Sequence, residues 1–516
     1  MDASPEQLNA RFPKLALVSP SIVSSPTRLA GWTHESTQAV LECLKDNHQR
    51  FHIFFQDGGL HNHASHHLLA IYTMGASAEV IREAYQTHVA YQRPAKDHFI
   101  AATIDEKNWK EHVGNEKYYQ AYVSFFSRLL LSPQSKGLQA ILEEYVFSTD
   151  ANLVAGKNGV KPYMLGRFYS SLFHPLIHTG YGVEFGLPGL AVEGLAQTAV
   201  HTLDIEEIFT PEFFNVGSAD TLASRLSSLV VSAAGVVGSS APSADVHALS
   251  ILSRIEKDID FAPENLDFTG LAGLAPRYSV VLGRADNKLL KYSEEWTETV
   301  VPDRDVLKRK FEELVWMNTV IYGVGGWAGR ALGEDEKGKF NGDFLFMHGV
   351  TSSLMTASVL NTLSLNSAVL LLRAYFVFFL LTYTIRGRPA LPIKDFYANT
   401  SLYPSPPGTQ PAAAKDTLVP SAAPNPWLPI VQTTLVHPDE HLCKTQRSLM
   451  HFAECYGGTE PGAFAHTDLQ GAEMLDGTLF ARVAALTADR LGWMREGETQ
   501  RGWDRNGFAQ GLKHKV

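Results

Sequence analysis

Cysteine is nearly missing from this chain: Cys43, Cys443 and Cys455 are the only three in 516 residues. An odd number at unrelated spacings excludes a disulfide framework and a thiolate metal site, and it fits a reducing compartment, so the expected location is cytoplasmic. Basic clusters are lacking too. With 44 Lys and Arg against 54 Asp and Glu, the formal charge is −10, and without a basic stripe nucleic acid is not an expected partner. The N-terminus, MDASPEQLNARFPKLALV, has neither the basic start nor the apolar core of a secretory signal. One long apolar run exists, Ser367 to Ile385, and Arg373 interrupts it. We read it as a buried core helix, so no membrane is expected as a partner. HExxH and GxSxG are absent, which leaves zinc-protease and α/β-hydrolase chemistry unsupported.

Strand alternation is scarce as well, and the prevailing period is helical. SAEVIREAYQTHVAYQ follows the capping residue Ser77, and YYQAYVSFFSRLLL, GLQAILEEYVF and DVLKRKFEELVWMNTVIYGV repeat the pattern. The expected fold class is all-α, a large single-domain helical assembly with long loops. Residues 1–403 form its main helical domain. Residues 404–429 carry eight prolines in 26 positions and read as an extended loop. Residues 430–516 read as a helical segment packing back on the main body. VVSAAGVVGSSAPSAD reads as a surface loop. GVGGWAG at Gly323 matches a dinucleotide fingerprint only in part, because helix rather than strand precedes it.

Histidine is the residue in excess. Four of the 20 histidines fall between positions 61 and 67, in GGLHNHASHHLLAIYTMGAS. The flanking glycines bound a helix starting near His61 or Asn62, on which His63 and His67 are i,i+4 neighbours, with His66 in reserve. Such spacing offers two imidazoles to one ion. SLFHPLIHTGYGVEFG repeats it with His174 and His178, and Pro175 suits a first helical turn. His348, in NGDFLFMHGVTSSLM, ranks alone as a core histidine. HPDEH, with His437 and His441, reads as a solvated helix start, and HTD at His466 is too short to be specific.

These stretches, in order, resemble a known family. FFQDGGLHNHASHHLLAIYTMGAS, FHPLIHTGYGVEFG, FMHGVTSS, YTIRGRP and DEHLCKTQRSLMHFAECYG are similar to successive blocks of the questin oxidase-like proteins of fungal polyketide pathways, across residues 50 to 485. The resemblance implies an oxygenase that opens a ring of an anthraquinone-type polyketide with O2, at a non-haem iron held by four histidines and a carboxylated lysine. By block, the implied metal ligands are His63, His67, His174, His178 and His348. Imidazole suits Fe(II), and the abundant aromatics suit a flat substrate. Tyr181 and Arg373 are the expected catalytic partners for phenolate or carbonyl oxygens.

One departure stands out. After His348 the first lysine is Lys394, and the apolar helix where a metal-facing lysine is expected offers Arg373. A guanidinium stays positive and cannot be carboxylated. Three outcomes follow: a carboxylate such as Glu184 completes the sphere, the site is all-histidine, or the iron chemistry is lost. Two alternatives stand beside the iron reading. One is a metal-free Baeyer–Villiger oxidase with NADPH as reductant, and the other is a non-catalytic polyketide-binding protein.

Overall fold

The computed structural model describes residues 4–13, 23–24, 26, 28–56, 59–95, 99–216, 245–328, 340–410, 412–418 and 424–508. Among them the fold is all-α, and the one sheet is a short antiparallel pair, Phe54–Gln56 with Leu60–His61. The helical periods fall where the sequence places them. Ser77 caps Ala78–Val89 by accepting from the Val80 N–H, and Asp303 caps Arg304–Val320 in the same way. In GLQAILEEYVF the α-helix stops at Leu142 and a π-helical turn, Glu143–Phe147, follows. GVGGWAG continues a helix through a second π-turn, Ile321–Gly325, and so lacks the strand a dinucleotide turn requires.

Two helices apolar on every side form the centre of the molecule. Every residue of Phe344–Leu360 is buried, as an all-round apolar helix must be. Leu365–Ile385 is long and apolar enough to cross a membrane, yet 94% of its most apolar window is covered by the rest of the protein. It is the core helix the sequence suggested. Its Arg373 donates to the carbonyls of Thr297 and Val300 at 2.9 and 3.1 Å. Those bonds tie the core helix to the end of the Lys288–Thr297 helix.

The long helix Met164–Phe185 is interrupted. Ser171, Leu172 and Phe173 adopt left-handed φ of 48°, 62° and 67°, so Pro175 lies in the first turn of a fresh helical stretch, where its missing N–H costs nothing. The chain turns at Gly186 and packs back as Pro188–Val200. Two glycines permit the close approach. A Cβ at Gly194 would lie 2.2 Å from Thr179 Oγ1, and one at Gly182 would lie 2.4 Å from the Ala191 nitrogen.

Late in the chain, Glu440–Tyr456 packs against Phe344–Leu360 and Ala64–Thr73, which joins the C-terminal segment to the main body. The described parts of residues 404–418 contain no helix, and the next helix starts at Trp427, inside the proline-rich segment. Of VVSAAGVVGSSAPSAD, residues 230–244 lie outside the described residues.

Candidate metal centre

Strand pairing decides how the first histidine cluster is used. Phe54 pairs with His61, so the helix begins at Ala64 rather than at 61 or 62, and His63 stands at its N-cap. Off the helix, His63 parts from His67. His67 Nδ1 lies 3.0 Å from His88 Nε2, and His88 Nδ1 lies 2.7 Å from the Tyr91 hydroxyl. The i,i+4 pair therefore does not face one ion.

Four other imidazoles do converge. The ring centroids of His63 and His174 are 5.0 Å apart, His174 and His348 4.9 Å, His348 and His441 5.2 Å, and His441 and His63 4.6 Å, which closes a circuit. Ligand atoms of His63, His174 and His441 lie within 4.8 Å of one another, the reach of a single metal ion. Each ring comes from a different segment, and all four are buried. Their tautomers follow from their backs. His174 Nδ1 donates to the Ser171 carbonyl at 2.5 Å, a bond the helix break makes available, and His348 Nδ1 donates to the Phe344 carbonyl at 2.7 Å. A neutral ring with its proton on Nδ1 has a bare Nε2, the arrangement seen when an outer hydrogen bond orients a metal ligand. His441 Nδ1 faces Glu440 at 3.3 Å. The Nε2 atoms of His348 and His441 are buried without a hydrogen-bond partner, as is Nδ1 of His63.

Electrostatics keep these rings neutral. Burial, then neighbouring cationic and imidazole groups, lowers His63, His348 and His441 well below the ordinary histidine range, and His174 falls to about 3. Lys444 stands one turn beyond His441. Its Nζ is buried and unpartnered, and burial pulls the amine down to about 8, opposed by Glu440. Glu440 itself is raised to about 7 by burial and by Asp439.

A second layer surrounds the circuit. His61 stacks on His174 at 3.9 Å and faces His201 Nε2 at 3.1 Å. His178 turns away to His66, whose Nε2 is 3.0 Å from its Nδ1, and to Glu193, 2.8 Å from its Nε2. Tyr181 stacks on His66 at 5.1 Å and bonds to Arg447, which pairs with Glu184.

Of the five expected ligands, the structure brings His63, His174 and His348 together and leaves His67 and His178 to other partners. Arg373 serves helix packing, and Tyr181 lies in the outer layer rather than on the circuit. Glu184 pairs through Oε1 with Arg447 and is not among the residues whose ligand atoms converge with those of the circuit. Sequence reasoning missed His441 and Lys444. The HPDEH stretch is indeed a helix start, capped by Asp439 through the His441 and Leu442 N–H groups, but its histidines are buried rather than solvated. The signal was available in HLCK: a histidine and a lysine at i,i+3 share a face. Arg373 is taken up by helix packing, whereas Lys444 lies close enough to the circuit for its charge to lower His63, His174, His348 and His441.

The sequence matches the questin oxidase-like family over residues 60–449, a range that contains all four circuit histidines and Lys444. It is 29% identical to a Baeyer–Villiger oxidase of Pestalotiopsis microspora over 66% of this chain and 69% of that protein. It is also 29% identical to a Baeyer–Villiger monooxygenase of Cryptosporiopsis over 62% and 63% of the two chains. The questin oxidase of Aspergillus terreus is 28% identical over 32% of this chain and 35% of its own. With the match covering most of the chain, the protein belongs to the questin oxidase-like family.

Proposed function

We propose that this protein is an oxygenase that opens a ring of an anthraquinone-type polyketide with O2, and that His63, His174, His348 and His441 hold Fe(II) beside Lys444. The observation that carries the reading is the circuit of four buried neutral imidazoles, in which ligand atoms of His63, His174 and His441 lie within 4.8 Å of one another and His63 Nε2 meets His174 Nε2 at 2.8 Å, together with an unpartnered buried lysine amine. Buried polar atoms left without partners are rare and costly, and three of them, His63 Nδ1, His348 Nε2 and His441 Nε2, belong to this circuit. The donor set suits iron, and it matches what the family resemblance implies: four histidines and a carboxylated lysine.

Each residue then has a chemical task. The Ser171 and Phe344 carbonyls hold His174 and His348 in the ligating tautomer. Lys444 offers the amine that combines with CO2 to give a carbamate and a proton, and the carbamate supplies the anionic oxygen that four neutral imidazoles lack. Burial of the whole set keeps bulk water out. Bound Fe(II) would supply the activation of O2.

Baeyer–Villiger appears in the names of the relatives, which favours oxygen insertion next to a carbonyl. If one oxygen atom enters the product and the other leaves as water, two electrons and two protons are needed, and NADPH with a proton provides them. NADPH oxidised per O2 consumed separates that stoichiometry from a dioxygenase, which needs no reductant.

Protein purified without chelator should contain iron near one equivalent per chain by mass spectrometry. His→Ala at 63, 174, 348 or 441 should lower occupancy at least about tenfold, the cost typical of a lost ligand contact. Ring opening should rise with added bicarbonate in the wild type but not in Lys444→Met. Full activity of metal-free protein, or no O2 uptake with any hydroxyanthraquinone, overturns the proposal. The second result would leave a binding protein.

A further inference from the structure

The outer layer contains a chain of hydrogen bonds in which a guanidinium at one end and a carboxylate in the middle fix the donors and acceptors of the neutral rings along it. Arg11 Nη1 lies 2.7 Å from His48 Nε2. A guanidinium can only donate, so this nitrogen accepts and the proton of a neutral His48 sits on Nδ1. Glu193 is buried between two histidines: His48 Nδ1 meets its Oε1, and His178 Nε2 meets its Oε2 at 2.8 Å. A carboxylate only accepts, so both rings donate to it. A neutral His178 then has a bare Nδ1, which takes the Nε2–H of His66 at 3.0 Å. The proton of His66 is thus on Nε2. Its Nδ1 retains a lone pair, and that atom is buried without a partner, in a ring 5.7 Å from that of His63.

We infer that Glu193 and His178 are positioning residues, which hold His66 in one tautomer so that its Nδ1 accepts a hydrogen bond from a phenolic hydroxyl of the substrate. An acceptor kept bare and dry is costly until a ligand brings a donor, and a hydroxyl on an aromatic ring is such a donor. Arg11 and His48 have a separate part. They lock the other side of Glu193, so that its two oxygens cannot exchange roles. The choice of a phenolic ligand rests on the proposed function, whereas the tautomer does not.

The test uses metal-free full-length protein with histidine labelled by ¹⁵N, and two-bond ¹⁵N–¹H correlation to locate each ring proton. The expected wild-type result is His66 protonated on Nε2 only and His178 neutral. A proton on His66 Nδ1, or a cationic His178, overturns the inference without recourse to any variant. Glu193→Gln gives a sharper expectation. Because Arg11 holds His48 as a donor, the amide carbonyl must face His48 and the amide NH2 must donate to His178, which inverts the chain and moves the His66 proton to Nδ1.

Ligand preference is then read with alizarin, a hydroxyanthraquinone, against anthraquinone, which has no hydroxyl. The wild type should prefer alizarin about tenfold or more, and Glu193→Gln should lose that preference. An inverted tautomer with preference unchanged overturns the role of Nδ1. Wild-type protein that binds neither compound removes the phenolic donor, and it marks a failure of the substrate reading, since the ring-proton spectrum is decided separately.

Discussion

Lys444 is a cation in a place where burial opposes charge, and its cost should be measurable. Lys444→Met replaces a buried, unpartnered amine with an apolar chain of similar length. The metal-free variant should gain about 1–3 kcal/mol by denaturant titration, as expected when a buried charge is replaced by a hydrophobe, while iron occupancy falls. A variant that loses both stability and iron would show that the amine has a structural partner. The residue also shows what a sequence conceals. His63 stands out because it lies in a histidine cluster, and His174 and His348 because apolar residues flank them, but His441 and Lys444 follow Asp439 and Glu440, and acidic neighbours read as solvent. In the fold those two carboxylates are a helix cap and a partner for His441. Arg373 misled for the complementary reason: a cation within an apolar helix announces a special role, yet its face of the helix, unknown from sequence, turns to two backbone carbonyls.

At the scale of elements, helix existence was legible and helix edges were not. Periodicity marks Ala78–Val89 directly, because that helix buries one face, Ile81, Tyr85 and His88, and leaves the other polar, and the first turns of Arg304–Val320 show the same pattern before the helix enters the core. The start at Ala64 depends on a non-local pairing, Phe54 with His61, which no local pattern encodes. That shift of two or three residues is what separates His63 from His67. The break at Ser171–Phe173 has similar weight, for it frees the carbonyl that orients His174. Close helix contact supports the same region. Gly194→Ala would press a methyl against Thr179, and such overpacking should cost about 1–3 kcal/mol in an equilibrium unfolding titration. Iron affinity should fall with it, since the displaced helix carries His174. A neutral Gly194→Ala would mean that the two helices separate freely.

For the whole molecule, neutral buried histidines couple stability to pH. His52, His88 and His201 lie outside the circuit, and burial lowers them to about 3, 4 and 4. Unfolding returns each to its ordinary value of 6.5. Between those limits the unfolded chain binds more protons than the folded one. The stability these residues contribute is therefore complete above pH 6.5 and is lost as pH falls through the folded values. Each pH unit in that window should remove up to about 1.4 kcal/mol per histidine. Urea titrations at stepped pH should show the midpoint falling steeply on the acid side, and a flat profile there would mean that the three rings are charged in the native protein.

The order of the circuit along the chain has a consequence for biogenesis. His63, His174 and His348 are all synthesised before the helix that brings His441 and Lys444. A chain still on the ribosome has three imidazoles, no amine and an uncovered side. On the proposed ligand set, it would offer any divalent ion that accepts imidazole an open three-coordinate site. On that same set, discrimination between metals waits on the docking of Glu440–Tyr456, and a chain stopped short of Glu440 has three of the four circuit histidines and lacks both His441 and Lys444.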